Sequence, residues 1–120
     1  MPNRRYLYLQ TADFADNNAF AQWLLGALEK EGVTTGNVTD EDFMQVVEAN
    51  VAGMPVSFYL GKTEDDTTPP TWLVWPQQQW SWLSRLLGKA NYDAEAEAQA
   101  LLEKAASSAG SFTHIEWGDK

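Results

Sequence analysis

The chain has 120 residues, with 8 Lys and Arg against 17 Asp and Glu, a formal net charge of -9. That balance, with a sequence pI near 4.3, argues against direct contact with nucleic acid or an anionic membrane. At 44% hydrophobic and 21% charged it is expected to fold as one domain over 1–120, and the lack of cysteine excludes disulfides, thiolate metal sites and thiol catalysis.

The N-terminal Met1-Pro2-Asn3-Arg4-Arg5 leads into Tyr6-Leu7-Tyr8-Leu9-Gln10, far short of the ~7–15 apolar residues of a secretory signal core. The longest apolar run, Trp23 to Leu28, is broken by Gly26 and falls well below the ~20 residues needed to cross a bilayer. A cytoplasmic location without membrane association is the expectation. Asn37-Val38-Thr39 matches a glycosylation sequon that has no consequence in that compartment.

Residues 5–11 are aromatic and aliphatic without helical gaps and predict a strand covered on both faces. Phe20, Trp23, Leu24, Ala27 and Leu28 then recur at helical spacing, with Asp13 or Asp16 as N-cap and Gly32 as the stop. Residues 32–38 read as a loop. Thr39-Asp40-Glu41-Asp42 reads as a helix start that puts Phe43, Met44 and Val47 on one face, although Phe43, Val47, Ala49 and Val51 also fit strand alternation. Val56–Leu60 and Thr71–Trp75 are strand-like and predict a hairpin across the long acidic loop between them. After Pro76, the stripe Trp80, Leu83, Leu86 and Leu87 predicts a short helix. A second helix begins at Asn91 or Asp93, is anchored by Leu101, Leu102 and Ala105, and stops at Gly110. Phe112 to Trp117 is the last strand. The order β-α-α-β-β-α-α-β predicts an α+β domain with a mixed four-stranded sheet and its helices mainly on one face.

Little in the chain supports catalysis. The one histidine, His114, lies in the last strand and reads as structural or surface. There is no Gly-x-Ser-x-Gly elbow, and Gly32 and Gly36 lack the lysine of a phosphate-binding loop. Asp40–Asp42 and Glu64–Asp66 miss the spacing of a calcium loop and read as a charged helix start and a solvated hairpin loop. No cofactor or metal is expected, and no family signature stands out.

The aromatic content is more informative. Six tryptophans is high for this length. Trp23 and Trp80 lie on apolar stripes. Trp72 and Trp75 share a strand at odd spacing and so point to opposite faces. Trp82 falls off its stripe beside Arg85 and Lys89 and reads as an exposed anchor. These features predict a non-enzymatic acidic binding protein that inhibits or sequesters a basic protein, such as a toxin or nuclease, in the manner of an immunity protein or anti-nuclease. Trp82, Trp75, Glu64, Asp65 and Asp66 are the expected contacts. The alternative is a small enzyme or a ligand- or metal-binding domain. It would use His114, close to a carboxylate such as Glu116, or the loop Glu64–Asp66. A nucleic-acid mimic ranks third, because the acids form short clusters rather than a long stripe.

Overall fold

The computed structural model describes residues 6–41, 44–51, 54–64, 66–78 and 92–118. The elements run β1 (Tyr6–Gln10), α1 (Asn17–Lys30), β2 (Thr34–Glu41), β3 (Met44–Val51), β4 (Met54–Lys62), β5 (Thr71–Gln78), α2 (Tyr92–Ala109) and β6 (Thr113–Gly118). The strands form a six-stranded sheet in the order β2-β3-β4-β5-β1-β6, and every neighbouring pair is antiparallel. The fold is therefore α+β, with six antiparallel strands where four mixed ones were expected.

The two extra strands come from one stretch. Residues 32–38 were expected as loop and 39 onward as helix, yet the stretch forms the hairpin β2–β3, pairing Val38 with Val47 and Glu41 with Met44. The alternation across Val47, Ala49 and Val51 decides it, because all three are buried while Glu48 and Asn50 between them are exposed. Val46, Val47 and Val51 also lose less side-chain freedom in a strand than in a helix. Asp40 and Glu41 thus end an edge strand and cap no helix, and Asp40 instead accepts a hydrogen bond from Gln45 Nε2 at 2.8 Å. Asp42 and Phe43 lie outside the described residues.

Register assigns each side chain to a face. Leu7, Leu9, Val47, Ala49, Val56, Phe58, Leu60, Trp72 and Val74 occupy one face and form a single apolar cluster with Phe20, Ala21, Leu24 and Leu28 of α1 and Ala98, Leu102 and Ala106 of α2. Both described helices therefore cover the same face. Helix α1 begins where Asp16 accepts the Ala19 amide at 2.9 Å, which settles the cap between the two candidates. It stops at Gly32, whose φ of 82° lets its N–H and that of Val33 close on the carbonyls of Glu29 and Leu28.

The hairpin expected between the fourth and fifth strands is present, with β4 and β5 paired from Val56–Gln78 to Lys62–Trp72. The helix expected from Asn91 or Asp93 corresponds to α2. Its Leu102 and Ala105 are buried and Leu101 is half-buried. The expected helix through Trp80–Leu87, and with it Trp82, lies outside the described residues. Strand β1 was expected to be covered on both faces; its Leu7 and Leu9 are buried, while Tyr6, Tyr8 and Gln10 on the other face are half-buried. No described helix is long and apolar enough to cross a membrane.

Candidate binding face

The face turned away from α1 and α2, here the far face, has a different composition. Following the ladders across β3, β4, β5, β1 and β6, one row reads Val46, Tyr59, Trp75, Tyr6, Gly118. The next row reads Gly61, Leu73, Tyr8, Glu116, and the one beyond it Thr71, Gln10, Thr113. In the first row Trp75 stacks on Tyr59 with ring centroids 5.3 Å apart and planes 10° from parallel. Tyr6 meets the same indole edge-on at 5.0 Å. The three rings form a platform of half-buried aromatics.

The indole N–H of Trp75 is buried and has no hydrogen-bond partner. A buried donor without an acceptor costs about 1–3 kcal/mol, so few folded proteins leave one unless something else satisfies it. Trp72, on the core face of the same strand, is fully buried and donates its N–H to the Thr11 carbonyl at 3.0 Å. The opposite orientation of the two tryptophans follows from their odd spacing.

The second feature is built by an irregularity in β6. Tyr8 pairs with Glu116 and Gln10 with Thr113, so two residues of β6 stand opposite Leu9. This is a β-bulge, and His114 within it has a φ of 53°. A left-handed backbone is uncommon outside glycine and costs a non-glycine residue about 1–3 kcal/mol. The bulge leaves Ile115 packed against the core and puts His114 and Glu116 on the rim of one cavity of about 430 Å³. Tyr8, Gln10 and Thr71 complete its lining. Gly118 supports the wall, because a Cβ there would stand 2.8 Å from the ring of Tyr8, leaving glycine as the residue over which that ring can lie.

The polar groups of this cavity are unevenly satisfied. Gln10 Nε2 donates to the Pro69 carbonyl at 3.3 Å. The Thr71 hydroxyl is shared with that of Thr67 at 2.8 Å, and His114 Nδ1 stands 3.3 Å from the Thr113 hydroxyl. Glu116 makes no hydrogen bond or ion pair with any described residue, and it is exposed. His114 and Glu116 share the cavity without a hydrogen bond between them, so they are not arranged as the base and orienting acid of a catalytic pair.

The residues expected at the binding site are distributed unevenly. Trp75 stands on the far face. Glu64 and Asp66 are exposed in the loop before β5, which begins at Thr71, while Trp75 lies further along that strand, about 13 Å from its start at strand rise. Asp65 and Trp82 lie outside the described residues. Among the described residues no group of three or more His, Asp or Glu is placed to hold a metal ion. Tyr6, Tyr8 and Tyr59 were missed, although the alternation in Tyr6-Leu7-Tyr8-Leu9 carried the signal: tyrosines on one face, leucines on the other.

The chain matches no family model, no curated protein and no solved structure.

Proposed function

We propose that this protein is a non-enzymatic binding protein that receives a basic protein partner on its far face and inhibits or sequesters it, as immunity proteins and anti-nucleases do. One observation carries the reading. The far face joins an aromatic platform, Tyr6–Trp75–Tyr59, to the carboxylates of Glu41, Glu48 and Glu116, and no Lys or Arg of the described residues shares it. Tyrosine and tryptophan supply rigid contact area at interfaces, and an unbalanced negative field speeds encounter with a positive surface. A cytoplasmic setting accords with such a role.

The test is capture from the native host lysate with two charge-reversed variants. Glu48→Lys/Glu116→Lys reverses the far face, and Glu97→Lys/Glu103→Lys makes the same change on exposed positions of α2. The expected result is a basic protein held by the wild type and the α2 variant and lost by the far-face variant. Equal capture by all three would remove the far face from the interaction.

A further inference from the structure

The bulge cavity at the end of the far face has a polarity of its own. Gln10 Nε2 gives one N–H to the Pro69 carbonyl, and the Thr71 hydroxyl is engaged by Thr67. The acceptors it leaves open are the Gln10 amide oxygen and both oxygens of Glu116, the one carboxylate of its lining. One wall is the ring of Tyr8, held over Gly118. The charge of Glu116 and the ring of Tyr8 select a group rich in donors, positively charged and able to lie against an aromatic ring.

The geometry points to an arginine side chain of the basic partner as the occupant of this cavity, its guanidinium paired with Glu116 and stacked on Tyr8. This rests on the reading of the far face given above and names the side chain that face selects. Guanidinium is planar and carries five donors in a fixed fork that meets a carboxylate through two parallel bonds. An ammonium presents the same charge without the plane, and its tighter hydration makes it costlier to bring against a ring. An anion is opposed by Glu116 and by the net charge of -9. A neutral polyol would leave the charge of Glu116 unanswered. The cavity, at about 430 Å³, falls within the ~300–1,000 Å³ of small-ligand sites and has room for the head group with part of its aliphatic stem. The bulge gives the site its shape, because it sets Thr113 opposite Gln10, where an unbroken ladder would place His114.

The experiment uses the full chain and isolated side-chain probes, so it is independent of whether any protein partner is captured. Backbone amide NMR spectra are recorded while N-acetyl-arginine methylamide, N-acetyl-lysine methylamide and glucose are added in turn. The arginine probe is expected to give saturable shifts centred on Tyr8, Gln10, His114 and Glu116, several-fold tighter than the lysine probe, with none from glucose. Glu116→Gln, an exposed position where the fold is retained, is expected to weaken the arginine probe by at least about fivefold. Tyr8→Leu is expected to remove the preference for arginine over lysine. Saturation by glucose with equal affinity, arginine shifts that do not saturate, or an unchanged affinity in Glu116→Gln each overturns the assignment. If the probe binds as expected but lysate capture fails, the cavity stands and the protein-partner reading falls. If capture succeeds and the probe does not bind, the reverse holds.

Discussion

Trp72 and Trp75 stand three residues apart on the same strand and show what the two faces of this sheet are for. Trp72 points to the helices, is 1% exposed, gives its N–H to Thr11 and packs against Phe14 and Phe20 at 5.5 Å in each case. All of its interaction capacity is used inside the fold. Trp75 points the other way, is half-buried, stacks on Tyr59, meets Tyr6 edge-on and keeps an N–H without an acceptor. One residue type, on one strand, is complete on the core face and incomplete on the far face. Residues that fold a protein are satisfied within it, and residues left unsatisfied are candidates for work on another molecule.

The comparison breaks most visibly at Trp72. Trp72→Ala removes a fully buried aromatic from the middle of the Phe14–Phe20–Trp23–Phe112 group and is expected to cost about 3–5 kcal/mol in denaturant unfolding. Trp75→Phe sharpens it in the other direction. The ring on Tyr59 is retained and the orphaned donor is removed, so stability is expected to stay within about 1 kcal/mol of the wild type or to rise, while capture of the basic partner weakens. A loss larger than that would mean the indole N–H contributes to the free fold after all.

At the bulge, two substitutions at His114 are expected to act in opposite directions. His114→Gly relieves a left-handed backbone that costs about 1–3 kcal/mol, and the flexibility glycine adds to the unfolded chain takes back about 0.5–1 kcal/mol. The expected outcome is unchanged or slightly raised stability, whereas His114→Val, β-branched at a φ of 53°, is expected to lose about 1–3 kcal/mol. A marked loss of stability in His114→Gly would show that the imidazole itself holds β6 in place.

Much of this arrangement was legible in the residues. The helical period of Phe20–Leu28, the hairpin of β4 and β5, the second long helix and the opposed tryptophans all follow from spacing that local geometry enforces. The hairpin β2–β3 was hidden because Thr39-Asp40-Glu41-Asp42 is a good helix start in isolation, and only the burial of Val47, Ala49 and Val51 against α1 selects the strand. The cavity was hidden more deeply. It depends on pairing Tyr8 with Glu116 while Gln10 pairs with Thr113, a register slip between segments about a hundred residues apart that no local pattern records. His114 and Glu116 were visible as a histidine with a nearby carboxylate, but the tyrosine, amide and threonine beside them come from two other strands.

The most direct test of the division between the faces uses the indole N–H signals, which report Trp72 and Trp75 in a single proton–nitrogen spectrum. On addition of the basic protein captured by the wild type, the Trp75 signal is expected to move as the partner seats on the ring platform, while the Trp72 signal, on the core face and bonded to Thr11, stays in place. A Trp75 signal that does not respond to the bound partner, with changes confined to Trp23 or other residues on the helix side, would contradict the assignment of the far face as the binding surface.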